Sequence, residues 1–395
     1  MAQSGRAIYF EYSDECMRRG VNLSPFRLPL QAGAVGNFPD HQQNLPGLIA
    51  DALPDGWGML VMDRLFRQHR RELHTISPLD RLAFIHDRAI GAFVFEPKST
   101  IPTTAEDIGL LDLAKSARFV FMNDTGTATD STAALTQLAM LGGSPHGARP
   151  KVLIQYDKNS DIIGTHPADD GTPWLVKFQA QDEHKEACAV EALYAQIARQ
   201  CGLDMPDTHY FDLNAKLAAF GIERFDRKGS IRIPTLTLAG LLDDNFRLPT
   251  QDYRNFLRAT RALTRNESEV KKAFERCVFN VIMNNRDDHT KNFSYLLNER
   301  LEWTLAPCYD LTFNPGPNGW HQMTVMGEGA TPNGSTLMAL AKDSGLDAAF
   351  ARQLIDRIAS AASGFKTAAQ SWQIRRRTVL DIQIRIDKNL AAMLH

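Results

Sequence analysis

The chain predicts an α+β protein of two lobes, with strands early and helices late. Short apolar runs that alternate with polar residues recur up to about residue 240, as half-buried strands require. From about residue 250 the apolar positions recur at three- and four-residue steps, the spacing of one helix face. Strands first and helices later favour a bilobal α+β layout over a doubly wound sheet.

The elements follow in order. "RAIYFEYSDECM" alternates as a strand would, and "GAFVFEP" near residue 93 reads as another. Between them "LIADALPDGWGMLVMDRLFRQHRREL" opens with a turn at Pro54-Asp55-Gly56 and continues as an amphipathic helix, so residues 1–100 form an N-terminal α+β module. "EPKSTIPTTAED" breaks the periodicity and reads as a linker, "AEDIGLLDLAKSARFVF" as a short helix, and "MNDTGTATDSTAA" as a polar stretch. A second region, 101–240, then carries "LGGSPHGARPKVLIQY", a glycine-rich turn running into a strand, and the further strands "TPWLVKFQA", "HYFDL", "LAAFGIERF" and "SIRIPTLTL". Within it "EACAVEALYAQIARQCGLDMP" is a helix stopped by Gly202, with Pro206 beyond. The third region, 241–395, is helical through "DYRNFLRATRAL", "EVKKAFERCVFNVIMNN", "AAFARQLIDRIASAASGF" and a long final helix from "AAQSWQIRRRTVLDIQIRIDKNLAAML".

Composition excludes several classes. The 395 residues are 44% hydrophobic, enough to bury a large core. With 44 Lys+Arg against 46 Asp+Glu, the charge balance gives no sign of an autonomous nucleic-acid or acidic-membrane binder. The run Arg375, Arg376, Arg377 reads as the solvated face of a helix. Five scattered cysteines without a C-x-x-C pair fit a reducing compartment better than a zinc site or a disulfide framework. With neither a basic-then-apolar leader nor an apolar stretch of about twenty residues, the expected location is the cytoplasm.

The densest polar stretch is "NNRDDHTKNFSYLL", residues 284 to 297. A polar turn between buried elements would explain it without any chemistry. Its order suggests more, because Arg286-Asp287 with Asn292 five residues on is the R-D-x-x-x-x-N pattern of a protein-kinase catalytic loop. There the Asp orients the attacking hydroxyl and the Asn holds a metal ion. Asp288 would point elsewhere and reads as structural. His289 with the two aspartates could be a hydrolase metal cluster, but no second histidine stands at i+4. No G-x-S-x-G elbow occurs.

Phosphoryl transfer also needs a phosphate cradle, a cation on the phosphates and a second metal ligand. The cradle candidate is Gly142 to Lys151, where glycines let backbone N–H groups approach phosphate oxygens; a surface turn is the alternative, and neither G-x-G-x-x-G nor the Walker pattern is matched. Lys177 in "WLVKF" is the cation candidate or a snorkelling lysine at a sheet edge. One helix on, Glu191 could pair with it, with Glu186 the competing choice. Asp310 in "LAPCYDLTFNP" follows an expected strand, "LEWTLAPCYD", and with Asn292 supplies the hard oxygens that suit Mg²⁺. The joint order makes the expected fold protein-kinase-like, with 101–240 as the N-lobe-like region and 241–395 as the helical C-terminal lobe.

These residues resemble the HipA-type serine/threonine kinase toxins of bacterial type II toxin-antitoxin systems. The likeness rests on "LPDGWG", "GARPK", "IERFDR" at 222 to 227, "DDHTKNFS" at 287 to 294 and "LAPCYDL" at 305 to 311. The resemblance implies ATP and Mg²⁺ as cofactors, Asp287 as catalytic base, Asn292 and Asp310 as metal ligands, and Lys177 as the phosphate-binding lysine. It implies a phosphate loop of His146, Gly147, Ala148, Arg149, Pro150 and Lys151, and an adenine-binding hinge of Glu223, Arg224 and Phe225 with Asp226 on the ribose. His289, Lys291 and Tyr309 fall on further nucleotide-contact positions, and Ser144 on an autophosphorylated serine whose added charge would silence the enzyme. Pro145 and Arg286 depart from the small residues usual there. The implied substrate is a protein, an aminoacyl-tRNA synthetase on the family's pattern, and the implied partner a helix-turn-helix antitoxin through which DNA is met indirectly. A small-molecule phosphotransferase, or a non-catalytic corepressor bound to the antitoxin, are the alternatives.

Overall fold

The structure is a computed structural model and describes residues 1–101, 108–122, 131–143, 145–165 and 171–394. Parts of the expected linker and of "MNDTGTATDSTAA", and the whole of Ser144, lie outside the described residues. The chain divides into two compact units. Residues 49–188 and 207–235 form one, here the sheet unit; residues 1–48, 189–206 and 236–395 form the other, the helical unit.

The sheet unit is built on five antiparallel strands, in the order Ile162–Gly164, Lys151–Asp157, Thr172–Phe178, Ala218–Glu223, Thr208–Asp212. Period-2 alternation places Val152, Ile154 and Tyr156 beside Val176 and Trp174 in the core, the Tyr156 and Trp174 rings meeting edge-on at 5.2 Å. The opposite face carries a charge anomaly. Lys151 pairs directly with Lys177, and Lys177 with Phe220. The longer helices of the unit, among the described residues, are Gly56–Gln68, Pro78–Ile85, Leu110–Met122 and Ser131–Gly142. Ser77 and Asp80 form a capping box with Pro78 in the first turn, which fixes where Pro78–Ile85 begins.

The helical unit centres on Glu267–Ile282, whose last two turns are buried throughout, from Arg276 and Cys277 through Phe279 to Ile282. Around it stand Tyr253–Thr264, Gly334–Asp343, Ala348–Ser363 and Arg376–Met393. A hairpin, Ser294–Leu297 with Trp303–Leu305, brings Tyr295 into the same core. The chain passes between units within the helix Glu186–Gln200, and in its second part the Tyr194 hydroxyl donates to Met283 O at 2.8 Å.

The mixed α+β class holds, while several elements differ from their expected form. "GAFVFEP" makes no strand: Phe95 N donates back to His86 O, and the His86 ring bonds Phe95 O, so its polar groups are met locally. "LEWTLAPCYD" is a strand only over Trp303–Leu305, because Pro307 has no N–H for a ladder. "SIRIPTLTL" splits at Pro234 into Ile231–Arg232 and Thr235–Thr237 for the same reason. In "RAIYFEYSDECM" the strand is Ala7–Tyr9, after which Ser13 caps the helix Asp14–Arg19. The final helix begins only at Arg376, since Trp372 and Arg375 hold extended backbone.

Candidate active site

The sheet unit holds the glycine turn and the two lysines. After the helix Ser131–Gly142, residues 145–150 lead into the first long strand. Gly147 sits at φ +102°, a conformation that favours glycine, and its carbonyl accepts from Trp57 N at 3.1 Å. Its N–H donates to the Asp55 carboxylate, and the His146 ring meets Leu53 O at 2.8 Å. The "LPDGWG" turn therefore clasps the loop through both backbone and side chains. Asp55, at the N-cap of Gly56–Gln68, makes no side-chain bond to its own helix and turns to Gly147 instead. Arg149 is bidentate on Glu183, with Nη2 to Oε1 at 2.6 Å, and Glu183 also accepts from Ala180 N.

Lys151 and Lys177 are 3% and 8% exposed and stand directly opposite each other. Like charges in that register repel, and burial raises the cost of each. Lys151 Nζ closes back on His146 O, and Lys177 Nζ lies 6.0 Å from the Phe220 ring centroid. Glu186 belongs to the sheet unit and Glu191 to the helical unit; both are buried.

Glu223 ends its strand, with its N–H on Asp207 O, and Arg224 N donates to Pro173 O. Phe225 follows, and then Asp226, a buried carboxylate already bonded by Arg224 (2.7 and 2.9 Å), Arg227 (2.7 Å) and Gly91 N (2.7 Å). Burial alone would raise the Asp226 carboxyl, but the two guanidiniums and the Gly91 N–H outweigh it and hold the group below the usual carboxylate range. A ribose hydroxyl there would have to displace one of these donors.

The helical unit holds the polar loop. Asn284 and Asn285 leave the helix Glu267–Ile282, and Asn292 falls in the short turn Thr290–Asn292. Asn292 Nδ2 donates to Asp287 O at 2.7 Å, which fixes the span between the two residues. The Asp287 carboxylate is about half exposed, at 48%, with His289 Nε2 3.9 Å away. Asp288 is sealed: Tyr253 OH, His321 Nδ1 and Gln322 N donate to it at 2.8, 2.7 and 2.9 Å. The loop is further pinned by Thr290 on Asp244 at 2.6 Å, and by Arg286, whose guanidinium bonds Gly319 O and braces the segment 314–322. His289 and Lys291 both gather on Phe246, the ring centroids 5.3 Å apart for His289 and Lys291 Nζ 4.4 Å from the centroid.

Asp310 lies beyond Pro307 with φ +56° and opens on a cleft that Asn292, Asn285, Asn280, Asp288 and Tyr309 also line. Tyr309 OH meets Ser294 Oγ at 2.6 Å and donates to Lys291 O at 2.7 Å. Among the described residues no three His, Cys, Asp or Glu side chains gather to hold a metal ion by themselves. A cation completed by waters and phosphate oxygens needs less, and one carboxylate and one amide of hard oxygen fit Mg²⁺. The buried Oδ1 of Asn285 has no hydrogen-bond partner among the described residues, a further oxygen in the same cleft. Asn285 and Asp55 carry no signal in the sequence beyond that of common turn residues. An asparagine inside the apolar run "VFNVIM" was the one available signal for Asn280.

The fold defines a class: an antiparallel sheet entered from a glycine turn, and a helical unit presenting an Asp–Asn loop beside a second Asp. Residues 1–96 match the HipA N-terminal domain and residues 143–365, over half of the chain, match the HipA-like C-terminal domain. The chain belongs to the HipA family. Its fold is that of the HipA chain solved from Shewanella oneidensis MR-1 with HipB and operator DNA: TM-score 0.69, 18% identity, covering 98% of this chain and 92% of that one. A Helicobacter pylori structure, the proinflammatory kinase CtkA, aligns at TM-score 0.41 and 13% identity over 57% of this chain and 89% of its own. In sequence, a Sinorhizobium fredii protein named "Putative kinase Y4dM" is 29% identical over 155 residues, 36% of this chain. The match spans only 37% of that relative's length.

Proposed function

We propose that this HipA-family chain is an ATP- and Mg²⁺-dependent serine/threonine protein kinase that acts in the cytoplasm as the toxin of a toxin-antitoxin pair. The observation that carries the reading is the catalytic loop: Asn292 and Asp310 line one cleft, and the Asn292 amide is bonded to the backbone of Asp287. In this reading Asp287 takes up the proton of the attacking hydroxyl, and its half-exposed carboxylate leaves room for a substrate side chain. Asn292 and Asp310 would hold Mg²⁺, which when bound neutralises charge on the transferring phosphoryl group. Lys151 and Lys177 would take phosphate oxygens, with Gly147, Ala148 and Pro150 bringing backbone close and Arg149 held aside on Glu183. Glu223, Arg224 and Phe225 would receive the base, with His289, Lys291 and Tyr309 at the nucleotide's other contacts. Ser144 would be the autophosphorylated serine. An aminoacyl-tRNA synthetase is the proposed class of target.

The reading is tested by expressing wild type and Asp287→Ala in a host, with phosphoproteomics of both cultures. Growth arrest with new phosphoserine or phosphothreonine in the wild type alone supports it; equal toxicity removes phosphoryl transfer as the cause. Label on a metabolite rather than on protein would favour a small-molecule phosphotransferase. The Shewanella relative was solved with HipB and its operator, which supports a second, compatible role as the corepressor partner of a DNA-binding antitoxin.

A further inference from the structure

A chain of buried hydrogen bonds runs from His321 to the cleft that Asn292 and Asp310 line. It begins at Asp288, a carboxylate that can only accept, and it does so from His321 Nδ1, Tyr253 OH and two backbone N–H groups, Gln322 and Met323. Tyr253 must therefore give its only proton to Asp288, and its oxygen is left to accept from Asn280 Nδ2 at 2.9 Å. With its nitrogen so engaged, Asn280 offers Oδ1, which accepts from Asn285 Nδ2 at 3.0 Å. That same Asn285 nitrogen lies 3.5 Å from Asp310 O. Each amide is thus oriented by the one before it. Turning Asn285 over would set its oxygen against the oxygens of Asn280 and Asp310.

The relay ends on one atom. Asn285 is 2% exposed, lines the cleft with Asn292 and Asp310, and among the described residues its Oδ1 has no hydrogen-bond partner. A buried amide oxygen left empty is costly, and this one is an oxygen donor of the kind a hard divalent cation takes. The cationic group on the cleft wall, Arg276, directs Nη2 to Ala306 O, and among the described residues its Nε and Nη1 have no partners. We propose that Asn285 Oδ1 is a third protein oxygen for the divalent cation of the Asn292–Asp310 cleft, and that Asp288 is the positioning residue that orients it through Tyr253 and Asn280. The inference rests on the metal reading under "Proposed function" and adds the ligand and its orienting device.

The test uses the full chain and Mn²⁺, titrated by electron paramagnetic resonance with and without ADP, with bound waters counted from line broadening in ¹⁷O water. Asn285→Leu should weaken Mn²⁺ about tenfold and admit one more water to the bound ion, as expected when a ligand oxygen is replaced by solvent. Asn285→Asp keeps the oxygen while losing the donor to Asn280, and should restore affinity at least to the wild-type value. A merely structural amide would make that variant as weak as the leucine. Tyr253→Phe, which frees both amides to turn, should weaken Mn²⁺ severalfold with Asn285 still present. Wild-type affinity and water count in a folded Asn285→Leu would overturn the proposal, and would mean that a buried water between Asn285 and Arg276 occupies the oxygen. If the leucine variant does not fold, the Asp and Phe variants decide: an Asp variant that fails to bind, or a Phe variant unchanged, overturns it. Wild-type protein that binds no Mn²⁺ at all sinks this inference together with the metal reading beneath it.

Discussion

Asp287 and Asp288 are adjacent, yet the first carboxylate is 48% exposed and the second fully enclosed. The difference gives opposite expectations for substitution. Asp287→Asn should lower phosphoryl transfer by about 10²- to 10⁴-fold, the usual worth of a positioned base, with the urea midpoint unchanged. Asp288→Ala leaves His321, Tyr253 and two backbone donors facing an empty site, and should cost about 3–5 kcal/mol in urea denaturation. The structural reading of Asp288 was already available in the sequence, since two consecutive loop residues do not share a direction. The asparagines behind it were not. Asn is a common turn residue, and only the partners brought in from Tyr253 and His321, both at least 27 positions away, give Asn280 and Asn285 a polarity.

Among elements, four of the sheet's five strands are legible as short apolar runs, while Ile162–Gly164, three residues long and partly exposed, gives no such signal. The errors fall where a proline or a local bond replaces the ladder, at Pro234, at Pro307 and at the His86–Phe95 pair. The glycine turn carries its own expectation. Asp55→Ala removes a charged acceptor from Gly147 N and should weaken binding of a fluorescent ATP analogue by roughly tenfold, the loss of one charge-assisted hydrogen bond. The Asp226 cluster sets a pH expectation. Its folded carboxyl lies below the unfolded value, so its stabilisation is complete above about pH 4 and fades as pH falls through the lower folded value. Thermal midpoints from pH 7 down to 3 should show that fall in the wild type. Asp226→Asn, already destabilised at neutral pH by two uncompensated arginines, should lack this part of it.

For the whole molecule, charge is the informative quantity. A formal net charge of −2 gives the chain no field for DNA, so the purified protein alone should not retard an operator fragment at physiological salt. Adding a helix-turn-helix antitoxin partner should produce a shifted band that contains both proteins. The described helices include none long and apolar enough to cross a membrane. The two-unit division was not legible in the sequence, since residues 1–48 group with the far C-terminal part while 49–96 group with the sheet. A reader of periodicity sees elements in chain order and has no means to see which of them share a core.

The clasp between "LPDGWG" and the glycine turn ties two stretches about ninety positions apart into one fitted pair, through Leu53, Asp55 and Trp57 on one side and His146 and Gly147 on the other. Such a pair cannot drift one half at a time. A library randomised at 145–149 and selected for growth arrest should return compensating changes at 53–57, and a chimera that imports either stretch from a cousin would inherit the obligation to import both.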